Sequence, residues 1–195
     1  MPKVLAVNNY PTMERFSKLK AALEENGAEV SVADWTSVSA NDFDSYDGVA
    51  LSGSPDMLSK AAAREKFSGE IQAIRNSTVP ILGVCYGHQL IAIAYGSSVV
   101  EDSQHVLDFV KTDFFDDDPL FVGLQRPAML LESRHEVVQS LPDGFRLLAR
   151  SSTTPIASMK HKSRLLYGVQ SHPERYSSAN PDGFRLVGNF VSQLK

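Results

Sequence analysis

The chain has 195 residues, of which 43% are hydrophobic and 22% charged, close to the averages for globular proteins. That length predicts one domain over residues 1–195 with a sizeable core, and excludes a multi-step synthetase within it. The net charge of -4 and the lack of a basic block argue against nucleic acid as the main partner. No stretch approaches the ~20 apolar residues of a membrane span and no signal peptide is evident, so we expect a cytoplasmic protein without membrane contact.

The first half of the chain alternates apolar strands with amphipathic helices. Strands are predicted, in chain order, at Lys3–Val7, Glu29–Asp34, Gly48–Leu51 and Val79–Val84. Helices are predicted between Thr12 and Gly27, over Arg64–Asn76, and from Cys85 onwards. Such alternation indicates a parallel sheet that is covered by helices.

After Gly96 the pattern changes to shorter strands separated by turns. These strands are predicted at Val106–Thr112, Ala128–Glu132, Phe145–Ala149 and Leu165–Val169. A last helix follows, with Asn180 as its cap and Pro181 at its first position. The predicted fold is therefore α/β, with a doubly wound, mostly parallel, flavodoxin-like sheet, helices on both faces and a small antiparallel addition in the C-terminal half.

Cys85 is the single cysteine, which excludes an internal disulfide and a cysteine-built metal cage. It lies directly between an apolar strand and an apolar helix, with Gly83 and Gly87 two residues away on either side. This arrangement is typical of a nucleophile elbow, in which the glycines let strand and helix approach closely. A lone cysteine is more often an inert buried side chain. Here the helix N-terminus favours a thiolate, so we predict a catalytic nucleophile.

The elbow also predicts where a negatively charged oxygen is stabilised. The backbone N–H of Tyr86, next to the nucleophile, is a natural donor to an oxyanion on the attacked carbonyl. A second donor is expected from Gly53 and Ser54, in the turn after another predicted parallel strand. Sites in open α/β sheets lie beyond the carboxyl ends of the strands, which brings that turn to the edge where Cys85 lies.

A thiolate nucleophile needs a proton carrier, and His172 has the best setting among the five histidines. It follows the predicted strand Leu165–Val169, and Glu174 is two residues further on, where its carboxylate can orient the imidazole. A His-Pro-Glu sequence alone is more often an ordinary turn. Together with the elbow it predicts a Cys85–His172–Glu174 triad, with His88 as the competing base, which we interpret as structural.

The other polar candidates have weaker settings. Gln89, one turn beyond the nucleophile, is predicted to shape the substrate pocket. His105 and His161 lie in weakly patterned segments and are predicted to be solvated. The acidic run 116–118 is predicted to be a solvated loop, and no group of residues has metal-ligand spacing.

Three motifs together resemble the class I, triad-type glutamine amidotransferases, over nearly the whole chain. They are Gly-Val-Cys-Tyr-Gly-His-Gln at 83–89, Ser-His-Pro-Glu at 171–174 and Leu-Ser-Gly-Ser-Pro at 51–55. Within the family, the first two motifs are most similar to the amidotransferase part of GMP synthetases, above all to the form in which it is a separate subunit. Ser54 stands where those enzymes usually have a second glycine.

The resemblance implies a function in addition to a triad. It implies L-glutamine as the substrate, Ser133 and His135 in a stretch that lines the glutamine site, and no cofactor. It also implies that ammonia passes to a separate ATP-pyrophosphatase subunit that acts on XMP to make GMP.

Two other interpretations stay open at this point. The same triad could serve a standalone cysteine hydrolase of γ-glutamyl peptides or other small amides. Alternatively, the chain could be a catalytically idle flavodoxin-like module for binding or regulation. Intact Cys85, His172 and Glu174 argue against the idle module.

Overall fold

The computed structural model describes residues 1–194, whose nine strands form one sheet in the order β2-β1-β3-β4-β9-β8-β7-β5-β6. The strands are β1 Lys3–Asn8, β2 Glu29–Asp34, β3 Gly48–Leu51, β4 Ile81–Val84, β5 Val99–Phe114, β6 Ala128–Val138, β7 Phe145–Ser151, β8 Ser158–His161 and β9 Leu166–Val169. The helices are α1 Met13–Glu25, α2 Ala40–Phe43, α3 Ala61–Lys66, α4 Ser68–Asn76, α5 Tyr86–Ala94 and α6 Asp182–Val191. Every one of these helices is too short or too polar to cross a membrane.

Strands β2, β1, β3, β4 and β9 run parallel, and their two faces pack against different helices. Val4 and Ala6 of β1 belong to a core shared with α1 and α6, whereas Leu5 and Val7 belong to a core shared with α4 and α5. Alternate side chains of a strand point to opposite faces, so a continuous apolar run fills both cores. The predicted α/β sheet with helices on both faces is therefore present.

The antiparallel part is larger than the small addition predicted from the sequence. Strands β5 to β8 continue the same sheet beyond β9, and β8 was not predicted at all. Strand β5 pairs with β6 along most of its 16 residues, with an irregularity between Glu101 and Val106. The N-terminal part of β5 is largely exposed and polar, so it lacks the apolar alternation that marks a strand in sequence.

Two helix predictions were wrong in their bounds, each for a local reason. The helix predicted over Arg64–Asn76 is two helices that meet at Phe67, whose fully buried ring packs on Trp35 and Tyr86 at centroid distances of 4.5 and 5.0 Å. The last helix begins after Pro181, one residue later than expected. The backbone of Asn180 is held in a turn by reciprocal hydrogen bonds with Ser177, so it is not the cap.

Candidate active site

The carboxyl ends of β1, β3, β4 and β9 meet at one edge of the sheet because the four strands are parallel neighbours. Each strand is followed at this edge by a residue of chemical interest: Tyr10 after β1, Gly53 after β3, Cys85 after β4 and His172 after β9. All four are buried. The parallel topology thus gathers side chains that are as much as 162 positions apart in sequence.

Cys85 has the backbone conformation of a nucleophile elbow. Its φ of 50° and ψ of -96° make it the one non-glycine residue with positive φ within 1–194. Its N–H still donates to Val169 O at 2.8 Å, which fixes the turn to the neighbouring strand. A non-glycine residue in such a region costs on the order of 1–3 kcal/mol. The chain retains this strain at the residue predicted to be the nucleophile.

Gly83 and Gly87 are required by the close packing of this elbow. A Cβ on Gly83 would lie 2.5 Å from Gly87 O, and one on Gly87 would lie 2.7 Å from Leu51 O. These neighbours are backbone atoms, so no side-chain movement can relieve either clash. The spacing of the motif is therefore set by contacts of strand with helix.

Replacing Gly83 by Ala is expected to destabilise the protein by about 3 kcal/mol or more, since overpacking here displaces backbone. Gly69→Ala is the matched control, because its Cβ would meet only Val38 O at 3.9 Å in an exposed helical position. Gly69→Ala should leave the stability of the protein unchanged or raise it by roughly 0.5–1 kcal/mol. Denaturant unfolding measures both variants, and equal stabilities would contradict the packing argument.

His172 and Glu174 form a buried pair beside the elbow. His172 Nδ1 lies 2.7 Å from Glu174 Oε1, and the two residues are 3% and 5% exposed. The His172 backbone N–H donates to Leu131 O at 2.6 Å, which ties the pair to β6. Burial by itself lowers the pKa of His172, but charge and hydrogen-bond interactions with Cys85 and Glu174 outweigh it and hold the pKa well above 6.5. The arrangement favours the imidazolium form of His172 beside Cys85.

Two further groups contact the sulfur. Cys85 Sγ lies 3.6 Å from Ser133 O and 3.6 Å from Gln170 Nε2. The amide of Gln170 donates toward the sulfur. The amide oxygen of the same side chain accepts from Gln89 Nε2 at 3.4 Å, and Gln89 Nε2 also donates to Glu136 O at 3.1 Å. Gln89 therefore helps to hold the pocket wall, through groups that the sequence did not reveal.

The turn after β3 lies against His172 and Tyr10. A Cβ on Gly53 would lie 2.3 Å from Tyr10 Oη and 2.9 Å from His172 Cε1, so only glycine fits there. Ser54 does not have a positive φ, so the serine in place of a second glycine carries no backbone strain. The N–H groups of Gly53 and Ser54 donate to no other backbone group within residues 1–194. As the first residue of α5, Tyr86 also has an N–H without an intrahelical acceptor.

Cys85 and His172 line a cavity of about 420 Å³, within the range of small-molecule sites. Ser133 and His135, both predicted from the resemblance, line it, with His135 exposed at its rim. Its lining combines cationic and anionic side chains, namely Arg15, Lys18, Arg134, Arg175, Glu14, Asp56 and Glu136. A zwitterionic ligand can therefore find partners of both signs.

Several residues of this site could not be found by sequence reasoning. Tyr10 lines the cavity, and burial together with the charges of Glu174 and Cys85 raises its pKa, so its hydroxyl stays protonated. Arg134 has a side chain with no exposed area and pairs with Glu132 and Asp102. No motif marks these residues, and only the pairing of distant strands brings them to the cavity.

The remaining histidines lie away from Cys85 and His172 or at the rim of the cavity. His88 is fully buried against Gly168 and does not line the cavity, and burial lowers its pKa to about 4. His105 is exposed, as predicted, and its ring packs on His135 at 4.2 Å. His161 was predicted to be solvated, but it is half-buried between Tyr95 and Phe145. Residues 1–194 contain no cluster of three or more side chains suited to hold a metal ion.

Comparison with known proteins relates almost the whole chain to one protein family. Residues 6–194 match the family model described as glutamine amidotransferase class-I. The glutamine-hydrolyzing GMP synthase subunit of Thermococcus kodakarensis is 40% identical over 148 residues, which cover 75% of this chain and 77% of that protein. The corresponding Archaeoglobus fulgidus protein is 32% identical over 193 residues, 99% of each chain.

Solved structures agree with this similarity. A Thermoplasma acidophilum protein, provisionally assigned as a GMP synthase subunit, superposes with a TM-score of 0.85 at 27% identity, covering 99% of this chain and 95% of its own. A glutamine amidotransferase from Thermotoga maritima superposes with a TM-score of 0.75 at 18% identity over 89% of this chain and 76% of its own, which shows a common fold. This chain belongs to the class I glutamine amidotransferase family.

Proposed function

We propose that this protein hydrolyses L-glutamine with a Cys85–His172–Glu174 triad and supplies the ammonia to a synthetase subunit. The observation that carries the proposal is the elbow of Cys85, held next to the buried His172–Glu174 pair in a member of an amidotransferase family. The cavity has partners for the α-carboxylate and the α-ammonium of an amino acid. Gln89, Ser133 and His135 would contact or orient the substrate in that cavity.

In the first half of the reaction, the Cys85 thiolate attacks the carboxamide carbon of glutamine. Negative charge develops on the carbonyl oxygen, where the N–H groups of Tyr86, Gly53 and Ser54 would stabilise it. The His172 imidazolium gives its proton to the departing amine, so that ammonia leaves and a γ-glutamyl thioester remains on Cys85. His172 is neutral after this step.

In the second half, neutral His172 removes a proton from water as the water attacks the thioester. The tetrahedral intermediate uses the same N–H donors, and its collapse releases glutamate and the Cys85 thiolate. His172 is again an imidazolium, and Glu174 keeps its ring in one orientation throughout. The chemistry needs only groups that this chain supplies.

The acceptor of the ammonia is proposed from the relatives that match over most of this chain. Their names describe glutamine-hydrolysing subunits of GMP synthase, which supports an ATP-pyrophosphatase partner that acts on XMP to form GMP. Such a partner consumes ATP, so the proposal assigns the pair to the cytoplasm. In the same way, the parallel strand order and the helices on both faces support a doubly wound, flavodoxin-like core within a single domain.

Glutamine is expected to be hydrolysed at least tenfold more efficiently than a γ-glutamyl dipeptide when the synthetase partner, ATP and XMP are present. The dipeptide carries a bulky leaving group, whereas glutamine releases ammonia. Glutamate release under these conditions and without the partner measures both substrates. Preferred turnover of the dipeptide, independent of the partner, would contradict the proposal and favour a standalone hydrolase.

A further inference from the structure

The carbonyl groups of the turn after β3 accept hydrogen bonds from two residues that do not line the cavity. Asn9 Nδ2 donates to Ser52 O at 3.3 Å, and Ser52 Oγ donates to Gly53 O at 2.9 Å. Ser52 Oγ in turn accepts from the Asn9 backbone N–H at 2.9 Å. Two consecutive carbonyl groups of this turn are therefore fixed by buried hydrogen bonds.

Fixing these carbonyl groups also fixes the two N–H groups proposed as oxyanion donors. In a planar trans peptide, the C=O and N–H bonds point in opposite directions. The carbonyl of Ser52 shares its peptide plane with the N–H of Gly53, and the carbonyl of Gly53 shares its plane with the N–H of Ser54. An anchor behind each carbonyl thus sets the direction of one donor.

Glu70, a buried residue of α4, extends this network. The Asn9 amide nitrogen also donates to Glu70 Oε1 at 3.1 Å, so its two hydrogens serve two different acceptors. This double use fixes which end of the Asn9 amide faces Ser52. A rotated amide would place its oxygen against two other oxygens.

Burying this network costs free energy of folding, which is unusual for polar groups that serve only the fold. Glu70 is fully buried, Glu70 Oε2 and Asn9 Oδ1 have no hydrogen-bond partner within residues 1–194, and burial raises the pKa of Glu70 to about 8. Apolar side chains would fill such a space more favourably. The presence of these polar groups is explained if they orient the peptide groups of the adjacent turn.

We propose that Ser52, Asn9 and Glu70 are positioning residues that direct the N–H groups of Gly53 and Ser54 at the substrate oxygen. This inference rests on the proposed glutaminase reaction. It assigns to Glu70 the role of a hydrogen-bond acceptor for Asn9. Glutamine should bind equally well without the network, while the tetrahedral intermediate is stabilised less.

The test is steady-state glutamine hydrolysis by wild type, Ser52→Ala, Asn9→Ala, Glu70→Leu and Glu70→Gln, with the synthetase partner, ATP and XMP present. Titration of Cys85 with a chloroketone analogue of glutamine gives kcat per reactive site, so that unfolded protein does not count. Ser52→Ala, Asn9→Ala and Glu70→Leu should lower kcat roughly 10- to 100-fold with KM within about threefold. Glu70→Gln retains the acceptor oxygen and should stay within about threefold of wild type.

Glu65→Gln, on the exposed side of α3, is the matched control and should match wild type. Unchanged kcat in Ser52→Ala and Asn9→Ala, or a loss confined to KM, would overturn the positioning role while leaving the glutaminase proposal intact. Absence of turnover in wild type would instead overturn the proposed function and this inference with it.

Discussion

Replacing Cys85 by Ala is expected to lower glutamine hydrolysis by about 10⁴-fold or more, because no other group can form the thioester. Cys85 is the single cysteine of the chain, and besides His172, the proposed proton carrier, its sulfur contacts a backbone carbonyl and an amide. Neither is a nucleophile. Loss of the sulfur should therefore remove covalent catalysis altogether.

A second variant at this position separates catalysis from folding. Cys85→Gly should be as inactive as Cys85→Ala, but more stable than it by about 1 kcal/mol, because glycine adopts a φ of 50° without strain. Glutamate release and denaturant unfolding of the two variants measure these effects. Activity within tenfold of wild type in either variant would refute the nucleophile, and equal stabilities of the two would refute strain at the elbow.

The candidate site could be proposed from the sequence because its main parts are local. Cys85 and its two glycines lie within five consecutive positions, and His172 and Glu174 lie within three. Parallel topology supplied the remaining step, since the ends of parallel strands share one edge. Two short motifs after two predicted strands were thus sufficient to bring Cys85 and His172 together.

The residues that escaped prediction depend on long-range pairing. Glu70 meets Asn9 across 61 positions, and Arg134 meets Asp102 across 32, neither with a characteristic spacing. The N-terminal part of β5 was not predicted for another reason. Much of it is exposed to solvent, so its sequence lacks the alternation of apolar residues that indicates a strand. Local chemistry was thus predictable, whereas its supporting contacts required the fold.

Replacing Glu174 by Gln is expected to lower kcat about 10²-fold or more and to move the alkaline limb of the pH–rate profile to lower pH. Gln retains the size of the side chain but removes the negative charge 2.7 Å from His172 Nδ1. Together with the charge of Cys85 and the hydrogen bonds to both residues, that charge holds the pKa of His172 well above 6.5 against the effect of burial. Without it, the imidazolium that protonates the departing amine should be lost at lower pH.

Folding stability gives an independent measure of the same interaction. A folded-state pKa above the unfolded value means that His172 stabilises the fold fully below pH 6.5, and that this contribution is lost as pH rises through the raised pKa. In Glu174→Gln the loss should begin at the same pH, which the unfolded histidine sets, but be complete at a lower pH than in wild type. Denaturant unfolding across pH 6 to pH 10 and kcat profiles over the same range test both effects, with Glu65→Gln as the control. If Glu174→Gln keeps the wild-type alkaline limb and the wild-type pH dependence of stability, Glu174 does not set the charge of His172, and the triad reduces to Cys85 and His172 alone.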